Sequence, residues 1–346
     1  MKKSFLEKAI VVACLSIPSV SPAASFHELP KESGFDGFLL IGATSTQFSS
    51  NSVAGNSLTH VEHNSTNGLN DSPSSENGMS GVFTGELNYT FAGEGIQLYL
   101  GNELEDVLRY DLTTQFGVRK SLPGNGIASI AFLTSGVLPT HVYEDPFNVE
   151  QTNEADRDMN GVKLGWDNMF DKGISVEMSF KDIDVVEENS GQSLVDKGIL
   201  TKSEQHLLDR TGTTTTMRVS YLHSFSSSHH IEPTVIAERA DKDGEAIAHD
   251  RFGMSLSYFY LNGRFSLVSQ MAYSYSEYDQ INPVWNHDEV EDNNSIAASM
   301  VLSYARPFNW QDTSFVTSFA YGNGNSNIDF YDSDIATASI GMLYQF

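Results

Sequence analysis

Ala338-Ser339-Ile340-Gly341-Met342-Leu343-Tyr344-Gln345-Phe346 closes the chain with Ala338, Ile340, Met342, Tyr344 and Phe346 on one face of an extended strand. Successive strand side chains point to opposite faces, so such spacing marks a segment with one apolar side. The same period recurs upstream. Residues 174–181 set Ile174, Val176, Met178 and Phe180 against Ser175, Glu177, Ser179 and Lys181. Residues 252–260 set Phe252, Met254, Leu256, Tyr258 and Tyr260 against Gly253, Ser255, Ser257 and Phe259. Residues 83–91 do the same with Phe83, Leu87, Tyr89 and Phe91.

Extended along the chain, the pattern predicts strands at 37–48, 80–91, 96–103, 107–119, 127–137, 161–170, 174–185, 213–225, 230–240, 251–261, 264–276, 295–306, 313–322 and 334–346. Short links on glycine, asparagine and aspartate, such as Asp171-Lys172-Gly173 and Asn262-Gly263, tolerate the positive φ of hairpin turns. They fall at every second connection and define one rim, expected to be periplasmic. The long links 49–79, 138–160, 186–212, 241–250, 277–294 and 323–333 define the other, with 104–106 as a short exception on that side. This rhythm predicts an all-β fold: a transmembrane antiparallel up-and-down β-barrel of about 14 strands, range 12–16. Residues 193–210, with Leu194, Leu200 and Leu207-Leu208, are compatible with a short helix over the mouth. Aromatics gather near the strand ends, among them Tyr89, Phe91, Trp166, Phe170, Phe225, Tyr258, Tyr260 and Tyr304. Rings with a wet edge suit membrane interfaces, whereas in a soluble sandwich they would be core.

The chain starts with Met1-Lys2-Lys3, an apolar run from Ala9 to Ile17 and the small residues Ser21-Pro22-Ala23-Ala24-Ser25, which reads as a secretory signal peptide over 1–24. Residues 25–36 are expected to be a periplasmic N-terminal segment and 37–346 the barrel. The one cysteine, Cys14, lies in the signal, which leaves the mature chain without disulfides or a thiol nucleophile. No later stretch is apolar for long enough to make a spanning helix. With 20 Lys+Arg against 45 Asp+Glu the net charge is -25, and loss of Lys2, Lys3, Glu7 and Lys8 makes it more acidic still. That balance argues against nucleic-acid binding, which needs a basic patch.

As a whole, the mature chain resembles Gram-negative outer-membrane β-barrels of the porin-like kind, and more narrowly an uncharacterised domain-of-unknown-function family of them. The residues that carry the likeness are Tyr344-Gln345-Phe346 and Gly34-Phe35-Asp36-Gly37-Phe38. The resemblance implies the cell outer membrane as location. It makes Tyr344 and Phe346 the signal read by the barrel assembly machinery, and lipid and lipopolysaccharide the surroundings.

With the apolar faces toward lipid, the charges expected inside as pore-lining candidates are Glu86, Arg109, Asp111, Arg119, Lys163, Asp167, Glu177, Lys181, Arg218, Glu232 and Glu238. They belong to the second to ninth strands, while the tenth to fourteenth offer mainly serine and threonine, for example Ser255, Ser274, Ser303 and Thr337. Opposed charges in a water-filled barrel set a transverse field and a selectivity. The bland reading is a set of ion pairs that fills the lumen. The function expected is a porin-like diffusion channel for ions or small hydrophilic solutes, mildly cation-preferring because its loops are acidic. The alternative is a non-conducting surface barrel that acts through its loops in adhesion or envelope integrity. No enzyme and no cofactor are expected. His60-Val61-Glu62-His63 has chelating residue types in a loop where such spacing arises by chance, and His223 and Ser224, adjacent on a strand, point to opposite faces. Glu144-Asp145, Glu187-Glu188 and Asp288-Glu289-Val290-Glu291-Asp292 are expected to hold divalent cations weakly through carboxylate oxygens.

Overall fold

The computed structural model describes residues 28–56, 59–60, 68–102, 113–135, 140–150, 153–285 and 290–346. Its barrel strands are β1 (Gly34–Ser49), β2 (Glu76–Phe91), β3 (Ile96–Asn102), β4 (Thr114–Leu122), β5 (Gly126–Thr134), β6 (Glu154–Met169) and β7 (Ile174–Val185). The series continues with β8 (Gly212–Tyr221), β9 (His229–Lys242), β10 (His249–Asn262), β11 (Phe265–Tyr278), β12 (Asp292–Ala305), β13 (Thr313–Ser326) and β14 (Ser333–Gln345). Each pairs antiparallel with the next, and β14 returns to pair with β1 from Phe38↔Gln345 to Ser49↔Asp334, so the sheet is a closed barrel of 14 strands. Closure removes every sheet edge, the condition for burying a backbone in lipid. At the seam the Gly37 N–H donates to the Phe346 carbonyl at 3.0 Å and the Phe346 N–H to the Gly37 carbonyl at 3.1 Å.

The outer face is apolar through the middle of the barrel, with Phe83, Leu100, Ile130, Phe132, Leu164, Met254 and Met271 all exposed. At the short-turn rim the rings form contiguous pairs: Phe35 with Tyr89 (4.8 Å between centroids), Trp166 with Phe170 (5.5 Å), and Phe308 with Trp310 (5.5 Å). His223 and Ser224 lie here too. The His223 ring sits 4.8 Å from Phe225, and Ser224 Oγ is 2.7 Å from His230 Nδ1. The turn between β6 and β7 places Asn168, Phe170 and Asp171 at positive φ, with Gly173 at +73°. Asn168 Oδ1 accepts from the Gly173 N–H at 2.8 Å, an amide mimic that holds the reversal.

The strands differ from the sequence expectation chiefly by running further toward the long-loop rim. β6 begins at Glu154 rather than 161, β2 at Glu76 rather than 80, and β9 ends at Lys242 rather than 240. The outward residues at this rim are Asp156, Asp158 and Asn160 on the extension of β6, Asp241 on that of β9, and Asp182 and Asp184 on β7, whose bounds are those expected. They are paired as strand, Asp182↔Asn160 and Asp184↔Asp158, yet carry no apolar face. The lipid-facing period that identifies a spanning strand therefore ends below the point where the strand ends. β1 likewise starts at Gly34 and takes in the last three residues of the expected 25–36 segment, pairing Gly34↔Thr90 and Phe35↔Tyr89. Residues 103–112, which hold the expected link 104–106 and the first half of the expected strand 107–119, lie outside the described residues; β4 extends past 119 to Leu122.

Candidate functional site

The long loops fold together into a cap over one rim. Short strands Val53–Asn56 and Thr140–Tyr143 pair with each other, and Thr140–Tyr143 pairs with the start of β6. Two short helices follow β7, α1 (Gln192–Asp196) and α2 (Lys202–His206), in the stretch where a helix was expected. Thr201 and Glu204 make a reciprocal capping box at the start of α2. Between these segments lies a core of Phe147, Leu194, Leu200, Leu208, Trp285, Ile328 and Phe330, with no barrel strand contributing. Phe330 is 0% exposed, with ring centroids 5.4 Å from Phe147 and 5.3 Å from Trp285.

Polar contacts lock the cap. The Asp145 carboxylate accepts from the backbone N–H groups of Phe147 (3.1 Å), Gly191 (2.8 Å) and Ser193 (2.8 Å). Glu188 holds Arg210 Nε at 2.7 Å, and Glu144 accepts from Asn189. The acids expected to attract cations thus spend oxygens on the cap's own hydrogen bonds. Asp288 and Glu289 lie outside the described residues, as do Val61, Glu62 and His63. Burial and the nearby Glu291 push the Tyr331 phenol well above its ordinary value, so it stays neutral and accepts from Asn282 at 2.8 Å.

Beneath the cap, a cavity of about 440 Å³ opens against the inner wall of β6–β10. The ladder explains which charges meet there. One cross-strand row runs Lys163, Ser179, Thr216, Glu238 and Arg251; the rows on either side bring Lys181 to His249 and Glu177 to Arg218. Higher toward the cap stand Arg157, facing Val185 across the ladder, and Lys242, facing Gly212. Glu238 accepts from Thr216 at 2.9 Å and pairs with Arg251 at 2.6 Å, while Lys163 lies 3.8 Å from Glu177. From the cap, Phe147, Leu208 and Ile247 line the cavity beside the polar Ser190 and Arg210.

The described sequence-expected residues divide among three places. Lys163, Glu177, Lys181, Arg218 and Glu238 line the cavity. Glu86 and Arg119 instead form a knot on β2–β4, with two guanidinium–carboxylate hydrogen bonds of 3.0 Å, a third to Gln97 at 3.0 Å, and the Tyr99 ring 3.8 Å beneath the guanidinium. Asp167 and Glu232 lie toward the short-turn rim, Asp167 opposite Ile127 and Glu232 opposite Ser257. Arg109 and Asp111 lie outside the described residues.

Arg157, Lys242, Arg251 and the loop residue Arg210 line the same cavity and were absent from the sequence-based set. Arg157 and Lys242 stand on strand extensions read as loops 138–160 and 241–250, and Arg251 opens a strand read as uncharged inside. With them the strand wall carries six Lys or Arg against Glu177 and Glu238, and Arg210, paired with Glu188, adds a seventh from the loop. The acids on which the expected cation preference rests crowd the loops and the outer collar, while the cavity lining carries more cations than acids.

A closed antiparallel barrel with an apolar, aromatic-edged outer face defines an outer-membrane-type β-barrel. The chain belongs to the family described as "Protein of unknown function (DUF2860)", matched over residues 34–345. No curated protein matches it. Among solved structures it is similar to OmpT of Vibrio cholerae folded in vitro, at 11% identity, 90% coverage of this chain, 98% of that one and a TM-score of 0.39. An anion-selective porin from Comamonas acidovorans gives 8% identity, 91% and 100% coverage and 0.39, and the Ralstonia pickettii toluene transporter TbuX gives 10%, 91%, 90% and 0.41. Likeness at this level says nothing about a solute.

Proposed function

We propose that the protein sits in the outer membrane and passes small hydrophilic solutes or ions by diffusion, as porins do. The observation that carries this reading is the chamber: a lumen holding about 440 Å³ of space among charged and hydroxyl side chains is one that a hydrated solute can occupy. A barrel filled for structure alone closes such space with side chains. The apolar belt and ring-paired rim support the membrane placement. The inward charges from Glu86 to Glu238 then border the solute's path, and the cap limits what enters. Lipopolysaccharide around the acidic collar and the assembly machinery at Tyr344 and Phe346 are the partners this placement proposes.

The test is single-channel recording of the refolded mature protein in a planar bilayer. Discrete conductance steps support the channel; a folded, heat-modifiable barrel that stays silent overturns it. One observation favours a second reading, that the protein acts through its exterior: the loops share a hydrophobic core of their own and present a fixed surface. Silence in the bilayer would shift the assignment there.

A further inference from the structure

We infer that two neighbouring short turns, residues 262–265 between β10 and β11 and residues 306–312 between β12 and β13, form a binding site for the phosphate of an anionic phospholipid in the periplasmic leaflet. The inference rests on the outer-membrane placement proposed above and is independent of the channel reading.

The two turns are joined by hydrogen bonds. The Ala305 N–H donates to the Arg264 carbonyl at 2.7 Å, and the Arg264 guanidinium reaches over the second turn, 3.4 Å from the Arg306 carbonyl and 3.4 Å from Asn309 Oδ1. Arg264 and Arg306 are both exposed, and neither makes an ion pair among the described residues. Asp312 is the one acid in the two turns, and it pairs with neither guanidinium. The acids of other short turns, Glu94 and Asp171, stand after β2 and β6. A phosphate offers acceptor oxygens to both guanidiniums, in the forked geometry that this group matches better than any other cationic side chain.

The surroundings narrow the source of that phosphate to a lipid. The cross-strand row just inside the turns runs Phe265, Tyr304 and Phe315, all outward and exposed. Phe308 and Trp310 add two more exposed rings from the turn itself, with centroids 5.5 Å apart. A phospholipid presents its phosphate and then its acyl chains along the membrane normal. Cations at the turns with rings one row further in meet both parts, whereas a free phosphate leaves the rings without a partner. The turn's backbone is specialised as well. Arg306, Phe308, Asn309 and Asp312 hold φ of 55°, 56°, 62° and 58° in a stretch without glycine. Such side chains rarely adopt that region, and those that do gather where a chain is fixed for binding.

Quenching of tryptophan fluorescence by brominated lipids tests the site. With Trp166→Phe and Trp285→Phe, Trp310 is the remaining indole. The protein is refolded into phosphatidylcholine vesicles that hold a minor fraction of brominated phosphatidylglycerol or of brominated phosphatidylcholine. Phosphatidylglycerol should associate beside Trp310 about fivefold more strongly or better, the factor that corresponds to one cation meeting an anionic lipid surface. Arg264→Gln/Arg306→Gln should bring the two lipids to parity, Arg264→Lys/Arg306→Lys should keep most of the preference, and added salt should weaken it. Heat-modifiable mobility checks the fold of each variant, and the single glutamine changes read the same loss in part if the double one does not fold. Equal quenching by the two lipids with both arginines present overturns the proposal, as does a preference unmoved when both are removed. Loss of the preference on adding glycerol phosphate to the buffer also overturns it, by making the site one for a soluble phosphate. Quenching by neither lipid overturns the membrane placement, and the site with it.

Discussion

Replacing Phe330 by alanine should open the cap and leave the barrel closed. The ring is 0% exposed and is held between Phe147, Trp285 and Tyr331, whose centroids lie 5.4, 5.3 and 5.2 Å away. Truncating a buried phenylalanine costs about 3–5 kcal/mol in lost burial and residual cavity. The cap core includes no strand side chain of the barrel, so this loss falls on the cap's own equilibrium between packed and open. At 1.4 kcal/mol per tenfold, the open fraction should rise roughly 10²- to 4 × 10³-fold. Hydrogen–deuterium exchange of the refolded protein reads this directly. Amides bonded only within the cap, such as Leu194 N–H to the Gly191 carbonyl and Ala246 N–H to the Leu207 carbonyl, should exchange faster by that factor. Peptides from β11 and β12 should keep wild-type rates. Phe308→Ala serves as control, because that ring is 83% exposed at the short-turn rim and should shift stability by less than about 0.5 kcal/mol. Unchanged exchange in residues 186–211 would refute the idea that the ring cluster holds the cap. Equal acceleration in cap and barrel would refute their independence.

Glu86→Gln should destabilise the barrel by about 3 kcal/mol, because it leaves Arg119 largely buried against a neutral partner, while the double variant Glu86→Met/Arg119→Met should recover much of the loss. Urea unfolding from lipid vesicles checks this, and a cost under about 0.5 kcal/mol for the single change would contradict the role assigned to the knot. Glu204 should titrate below the ordinary carboxylate range, since it accepts from both the backbone N–H and the hydroxyl of Thr201 at 2.7 Å. A lowered folded value means that the capping box contributes above the ordinary range and that its contribution is lost as pH falls through the folded value. A carboxyl NMR titration should show that displacement, and Thr201→Ala should reduce it.

The sequence by itself determined the architecture, because a lipid-exposed strand must be apolar at every second residue whatever its neighbours are. Ile174 to Phe180 and Phe252 to Tyr260 declare themselves locally, and the glycine and aspartate turns divide the chain between them. The same alternation placed Lys163, Glu177, Lys181, Arg218 and Glu238 on the inner face. It failed at the long-loop ends, where β6 and β9 continue past the apolar band with Asp156 and Asp241 outward, and so it missed Arg157 and Lys242; Arg251, already inside the expected strand 251–261, was passed over among the serines of that face. Periodicity reports the solvent on one face of a strand; when that solvent changes from lipid to water the signal stops, although the hydrogen-bonded ladder does not. The cap and the chamber were decided only by tertiary structure. Phe147, Leu208, Trp285 and Phe330 come from four separate loops with no shared period, and the row that joins Lys163 to Glu238 and Arg251 depends on the register of five strands at once. A shift of one residue in any of them would turn a charge from the chamber to the lipid.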